Sequence, residues 1–346
     1  MKWDLEELRR KSDHLAKMFT ESKNELEKEE LKKELMILSN MIESISCSAI
    51  LKARFKPQID VKKETLDEKC KFFSETLPVI NDKSAILEYS RRLPLYWITK
   101  TKISEKDYLK VIEEFLKTFK LDLNPLYATL RADNCINVTE FNFFNTLGVC
   151  YYFPFLKESY INLLFDKKIE DTKVLPHELG HAYLFNGTNF EQKYNMTVSS
   201  LGEAFSMFIQ LAFYDYLKET RYFKNAINME REFLESLATI YEVNNEFFTY
   251  ANNVRTIDNR FVNSYHKTFS EKSASVFLSK MLAYYFINLY RSGNISKIQE
   301  FCSAYQNGVE YDYFRSINPE DFKNSLKLEF DYFYQSIIDH KKLIKK

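Results

Sequence analysis

Two histidines and a glutamate stand together in the segment Pro176-His177-Glu178-Leu179-Gly180-His181. On a helix, His177 and His181 lie one turn apart on the same face, so both imidazoles can reach one ion at the Zn–N distance of about 2.0 to 2.1 Å. Glu178 is rotated by about 100° from His177 and lies beside the open position of the metal, where it can remove a proton from bound water. The spacing therefore predicts a catalytic zinc site.

A third protein ligand is needed, because a tetrahedral catalytic zinc leaves only its fourth position to water. Glu203 stands in the first turn of the next predicted helix, after a connection long enough to return the chain antiparallel. Ser200 and Glu203 also have the spacing of a capping box, in which Glu203 would reach back to the Ser200 amide. From the residues alone, both interpretations of Glu203 stay open.

The elements that must position these residues are helices, because the chain is poor in residues that interrupt them. It has 346 residues with only 6 Gly and 7 Pro. Long helices are therefore favoured, whereas turn-rich β sandwiches, propellers and Gly-rich nucleotide folds are disfavoured. With 45% hydrophobic and 16% aromatic residues, the chain can bury a large core and is not disordered. One or two helix-dominated domains fit.

Helices are predicted on both sides of a small sheet. The first fifty residues contain two helices, the second with an apolar stripe that predicts one buried face; it consists of Leu31, Leu35, Leu38, Ile42 and Ile45. Ser104 is predicted to cap a further helix, with Asp107 three residues on. Short apolar runs at 136–138, 147–153 and 160–165 predict three strands.

The helix that carries the two histidines has its own start and stop signals. Thr172 or Asp171 is predicted to cap its beginning, and Asn186-Gly187 is predicted to end it. Pro176 is tolerable only within about the first turn, where amides lack an intrahelical acceptor. Beyond this helix the pattern stays helical almost to the end of the chain.

Charge and cysteine usage exclude several classes of protein. Lys plus Arg and Asp plus Glu balance at 49 each, which gives no basis for a nucleic-acid or anionic-membrane partner. The five cysteines are odd in number, widely spread and never in a CxxC pair, so neither a disulfide framework nor a thiolate metal site is indicated. Because we find no signal-peptide core and no apolar run long enough to span a bilayer, we expect a cytoplasmic protein.

These segments together resemble the oligoendopeptidase F branch of the thimet-oligopeptidase-like zinc peptidases. The resemblance rests on the runs Tyr160 to Phe165 and Asp171 to Ala182, followed by Glu203-Ala204-Phe205-Ser206. In that family a strand bearing an asparagine precedes the His-Glu-x-x-His helix, and a Glu-x-x-Ser segment supplies the third ligand. The resemblance implies a mainly α, helical zincin-like fold with a small β-sheet before the histidine helix.

The resemblance also implies roles for individual residues. His177, His181 and Glu203 would be ligands of Zn²⁺, and Glu178 would be the general base. Tyr285 and Tyr290 would bind the substrate carbonyl and its developing oxyanion. The expected reaction is hydrolysis of short oligopeptides by water that zinc activates.

The expected organisation follows from the same resemblance. Residues 1–100 would form a helical N-terminal region, and residues 101–346 would form the zinc peptidase domain. The partner would be a short peptide that adds a strand to the sheet edge from Leu147 to Phe153, with no nucleic acid and no membrane. A homodimer could enclose the cleft that the short N-terminal region leaves incomplete.

Three positions depart from the family pattern. Leu184 and Gln210 stand where the family usually carries a His and a Glu, and Ser279 stands where a further His is expected. These departures favour an alternative: a catalytically weak or inactive peptidase-like module that binds a peptide or protein. The intact Glu178 favours the enzyme, because a binding module gains nothing from a general base.

Overall fold

The computed structural model describes residues 3–46, 101–139, 147–188, 200–237 and 266–344. The described residues form two compact units. The first contains residues 3–46, 102–139 and 147–188, and the second contains residue 101 with 200–237 and 266–344. Residues 47–100 lie outside the described part, so a boundary between a region 1–100 and a domain 101–346 stays a prediction.

The first unit begins with the two predicted helices, α1 (Leu5–Glu21) and α2 (Glu25–Ser46), which pack against each other. The predicted apolar stripe of α2 is shifted. Leu31, Leu38 and Met41 are fully buried, whereas Leu35, Ile42 and Ile45 are half-buried. Glu34 therefore lies at the centre of the buried face, with only 5% of its surface exposed.

Two further helices lead into the sheet. Helix α3 (Glu105–Thr118) begins as predicted, because the Ser104 hydroxyl accepts the Asp107 N–H at 3.1 Å. It buries one face, which consists of Tyr108, Val111, Ile112, Phe115 and Leu116. Helix α4 (Asn124–Ala132) follows with a proline in its first turn, where the missing N–H costs nothing.

The three predicted strands form one small sheet in the order β1-β3-β2. They are β1 (Ile136–Thr139), β2 (Gly148–Phe153) and β3 (Glu158–Leu164). Strand β3 is central: it pairs parallel with β1 and antiparallel with β2. Among the described residues, β2 is therefore an edge strand next to the helix that carries the two histidines.

The histidine helix is α5 (Val174–Asn186), and a 3-10 turn (Ile169–Lys173) runs directly into it. The predicted cap is wrong. The Asp171 carboxylate accepts the N–H groups of Asp166 and Lys168, and the Thr172 hydroxyl donates to the Ile169 carbonyl. The 3-10 turn itself supplies the first acceptor, since the Val174 N–H donates to the Asp171 carbonyl. The predicted end at Asn186-Gly187 is confirmed.

In the described residues of the second unit, the regular elements are helices joined by short turns. Its helices are α6 (Ser200–Lys218), residues 223–237, α7 (His266–Arg291), α8 (Ile295–Gln306), α9 (Glu310–Ser316) and α10 (Pro319–Ile344). Helix α7 packs on α6 and α10 around buried aromatic rings such as Phe208 and Phe286, whose centroids lie 6.1 Å apart. The prediction of a mainly α fold with one small sheet is confirmed. No helix of the described residues combines the length and apolar character needed to cross a membrane.

Candidate active site

Helix α5 presents the two histidines on one half-buried face. The ring centroids of His177 and His181 lie 5.0 Å apart with an interplanar angle of 77°. The i, i+4 spacing therefore brings the two imidazoles together, as the sequence predicts. Both residues are half-buried, and the Nδ1 atom of His177 is itself buried.

Glu203 completes a group of three ligand atoms. One nitrogen from His177, one from His181 and one carboxylate oxygen of Glu203 all lie within 4.8 Å of one another. In a tetrahedral site with bonds of about 2.0 to 2.2 Å, ligand atoms lie about 3.3 to 3.6 Å apart. The three atoms would have to move closer together to bind one ion in that geometry. In the described part of the chain, no other three His, Cys, Asp or Glu side chains meet this criterion.

The carboxylate of Glu178 is held against the edge strand by the absence of a side chain at Gly148. A Cβ atom at position 148 would lie 2.9 Å from Oε1 of Glu178 and would collide with the Val174 side chain. Glu178 itself is only 6% exposed. Glycine at this position therefore lets α5 approach β2 closely and puts the Glu178 carboxylate beside the strand.

An aromatic stack supports one of the histidines. The ring of Tyr152 in β2 stacks on Phe185 at 5.7 Å, and Phe185 stacks on His181 at 6.2 Å. Phe185 lies one turn after His181 on α5, so helix spacing aligns the two rings. The stack restricts rotation of the His181 imidazole, which favours one ring orientation.

The backbone N–H and C=O groups of successive β2 residues point alternately towards β3 and away from it. The Leu164 N–H donates to the Leu147 carbonyl at 2.8 Å, and Gly148 pairs with Leu163 in the next register position. In an antiparallel ladder, hydrogen-bonded pairs alternate with pairs whose backbone groups point away. The N–H and C=O groups of Gly148, Cys150 and Tyr152 therefore point away from β3.

The charge of Glu178 acts on the neighbouring strand. Burial, with a further contribution from Glu178, raises the pKa of the Cys150 thiol and of the Tyr151 hydroxyl. Both groups therefore stay protonated at neutral pH. A neutral thiol is a poor nucleophile.

Glu203 lies in the first turn of α6 and is half-buried. The competing capping-box interpretation involves the Ser200 side chain, which lies outside what the structure describes. Ser206 follows one turn later, and its hydroxyl is fully buried. Sequence reasoning missed a third neighbour: a Cβ at Gly202 would lie 2.7 Å from the Tyr305 hydroxyl. No sequence signal links these two residues, because only tertiary packing brings α8 to α6.

The three departures from the family pattern occupy packed positions. Leu184 and Ser279 are fully buried, and the amide Nε2 of Gln210 donates to the Tyr214 hydroxyl on the same helix. An apolar Leu184 fills the core where a histidine would need a polar partner. These side chains serve packing and local hydrogen bonding in the unit to which each belongs.

The two predicted substrate tyrosines face different neighbours within the second unit. Tyr285 packs on Phe322 with ring centroids 5.7 Å apart and lines a surface cavity of about 820 Å³ together with Lys297. Tyr290 meets Phe208 of α6 edge to face at 5.7 Å. Tyr290 therefore contacts the helix that carries Glu203, and the substrate-binding role of both tyrosines stays a prediction.

Comparison with known proteins identifies the fold. No family model and no curated protein matches this sequence. The structure of an oligoendopeptidase F from Bacillus anthracis str. Ames is similar, with a TM-score of 0.53 and 14% identity over 88% of this chain and 64% of that chain. The structure of PZ peptidase A with an inhibitor has a TM-score of 0.52 and 12% identity over 90% of this chain and 67% of that chain.

The chain thus has the fold of the oligoendopeptidase F and PZ peptidase structures, as the resemblance implied. The chain spans 64% of the length of the first structure. At this level of identity the similarity identifies the architecture alone. The chemistry must be argued from the residues of this chain.

Proposed function

We propose that this protein is a zinc metallopeptidase that hydrolyses peptide bonds in short oligopeptides. The observation that carries the proposal is the group of His177, His181 and Glu203, whose ligand atoms lie within 4.8 Å of one another. Two imidazole nitrogens and one carboxylate oxygen are the donor set of His₂Glu catalytic zinc sites. The fold shared with two structures named as peptidases supports the same class of reaction.

The residues of α5 and α6 would divide the chemistry between them. His177, His181 and Glu203 would hold the ion, which when bound supplies Lewis-acid activation of water and of the substrate carbonyl. Glu178 takes the proton of the attacking water on its carboxylate and returns it to the amine that leaves. Its position against Gly148 keeps this carboxylate beside the edge strand.

The open edge of β2 would bind the peptide backbone. Gly148, Cys150 and Tyr152 direct N–H and C=O groups away from β3, so an extended peptide can pair with these three residues as an added strand. Backbone pairing accepts many sequences, which suits a peptidase of short flexible peptides. The pairing would bring the peptide next to Glu178, because Gly148 contacts that carboxylate.

The experiment that tests this function combines metal analysis with hydrolysis of a quenched fluorescent peptide. We expect about one zinc per chain and measurable cleavage for the wild type. His177→Ala and Glu203→Ala should both lose zinc and cleavage. His340→Ala is the matched control, because His340 lies on α10 and stacks on Phe223 at 3.6 Å, so zinc should be retained.

Two results would contradict the proposal in different ways. Zinc bound by the wild type without cleavage of any peptide in a varied library would indicate the peptide-binding module instead. Zinc content unchanged by His177→Ala would show that the metal is not bound at this site. The cytoplasmic location, the homodimer and the absence of nucleic-acid and membrane partners stay predictions.

A further inference from the structure

Tyr305 of α8 contacts the first turn of α6 immediately before Glu203. A Cβ atom at Gly202 would lie 2.7 Å from the Tyr305 hydroxyl, 3.0 Å from Cε2 and 3.1 Å from Cζ. These distances are shorter than ordinary carbon contacts of about 3.5 to 4.0 Å. The hydroxyl end of the ring therefore fills the space that any side chain at position 202 would need.

The Tyr305 ring is fixed by the core of the second unit. Only 2% of Tyr305 is exposed, and its ring lies 6.2 Å from the ring of Phe301. Phe301 in turn contacts Phe286 of α7 at 4.8 Å. A close-packed aromatic cluster of this kind resists displacement, so Tyr305 is a rigid support rather than a surface side chain that adapts.

The beginning of α6 needs such a support. The first four N–H groups of a helix have no acceptor within it, which makes the first turn its least constrained part. Gly202 adds backbone freedom at this turn, because glycine restricts φ and ψ least. Glu203 is the next residue, so the backbone at Gly202 decides where the Glu203 carboxylate points.

We propose that Tyr305 is a positioning residue for Glu203: its contact with Gly202 fixes the first turn of α6 and thereby the direction of the carboxylate. The inference rests on the proposed zinc site, in which Glu203 is the third ligand. Supporting residues behind metal ligands typically change metal affinity by about 10- to 100-fold when they are altered. The contact also explains why glycine occupies position 202.

The test is a double-mutant cycle with zinc affinity as its readout, measured by competition with a chelator. Tyr305→Phe removes the hydroxyl and leaves a gap at Gly202, and Gly202→Ala forces a methyl group against the hydroxyl. Each should weaken zinc binding by about 10- to 100-fold. Tyr313→Phe is the matched control, because this hydroxyl donates to the Lys297 carbonyl at 2.7 Å and its ring also packs on Phe301.

The double variant distinguishes positioning from general packing. Its alanine methyl occupies part of the volume that the lost hydroxyl vacates, so its loss of zinc affinity should be smaller than the sum of the two single losses. Single variants that lower the thermal midpoint but bind zinc within twofold of the wild type would overturn the inference. A wild type that binds no zinc would instead overturn the proposed function itself.

Discussion

Buried carboxylates have different surroundings in the two units. In the second unit, Asp215 accepts hydrogen bonds from Arg291 at 2.8 Å and from Lys218 at 3.0 Å. Lys218 also pairs with Glu230, and Arg291 also pairs with Glu329. In the first unit, Glu34 accepts the Phe155 N–H at 3.4 Å, and its Oε2 has no hydrogen-bond partner among the described residues. One group of acids is paired with buried cations, whereas Glu34 is not.

The difference shows how the surroundings decide whether a buried acid keeps its charge or its proton. Burial alone would raise the pKa of Asp215, but Lys218 and Arg291 hold it below its usual range. Burial raises the pKa of Glu34 to about 8, and the Phe155 N–H offsets only part of this effect. We infer that the ion cluster of the second unit, which consists of Asp215, Glu230, Glu329, Lys218 and Arg291, stabilises the fold. The proposed reaction depends instead on the face formed by β2 and α5 in the first unit, and on Glu203.

The largest expected effect on stability comes from breaking the ion cluster. Asp215→Asn should lower the free energy of unfolding by about 3 kcal/mol or more, because Arg291 and Lys218 lose a buried counter-charge. Urea unfolding measures this loss. Asp312→Asn is the control, since its ion pair with Arg315 is exposed and should contribute less than about 1 kcal/mol. If Asp215→Asn lost zinc but kept its stability, the ion cluster would serve the metal site rather than the fold, which would contradict this account.

A smaller effect, on turnover rather than stability, is expected at the edge strand. Gly148→Ala should lower kcat by about 10- to 100-fold, because a methyl group displaces the Glu178 carboxylate from its position beside β2. Zinc content should stay near that of the wild type. Gly187→Ala is the control: its φ of −89° suits alanine, and it lies just beyond the end of α5. Equal kcat for Gly148→Ala and the wild type would show that this contact does not position the base.

A further expected effect is a dependence of stability on pH at Glu34. Its folded pKa of about 8 lies above the ordinary value of 4.5, so the wild type should lose stability as pH rises from about 4.5 through 8. The slope is at most about 1.4 kcal/mol per pH unit. Glu34→Gln should remove this dependence, and the gain over the wild type should be larger at pH 9 than at pH 5. Thermal unfolding at three pH values provides the measurement.

An exposed acid on the same helix provides the control for Glu34. Glu25 is paired with Lys28 at the surface, so Glu25→Gln should leave the pH dependence of the wild type unchanged. A Glu34→Gln protein that loses stability with pH as steeply as the wild type would show that Glu34 is not the group that titrates.

Local signals predicted much of the fold. The Ser104 cap, the three strands and the end of α5 depend on neighbouring residues, and each is confirmed. The errors arise where contacts with a neighbouring element replace a predicted side-chain cap or change which helix face is buried. The 3-10 turn replaces the predicted cap of α5, and packing of the first unit turns α2 so that Glu34 lies on its buried face.

The candidate site was predictable only in part, for the same reason. His177 and His181 are one helical turn apart, so their meeting follows from the sequence alone. The contacts Gly148–Glu178 and Gly202–Tyr305 join different elements, and periodicity carries no information about them. The two tyrosines show the limit of sequence-based prediction. Tertiary packing determines that the Tyr285 ring contacts Phe322 and that the Tyr290 ring contacts Phe208 of α6.

The most direct test of the proposed chemistry compares the wild type with Glu178→Gln at equal zinc content. Glutamine keeps the size of the side chain but cannot accept the proton of the attacking water. We predict about one zinc per chain in both proteins and a rate of peptide cleavage that falls by about 10²- to 10⁴-fold in the variant. Cleavage by Glu178→Gln at the wild-type rate would contradict the assignment of Glu178 as general base.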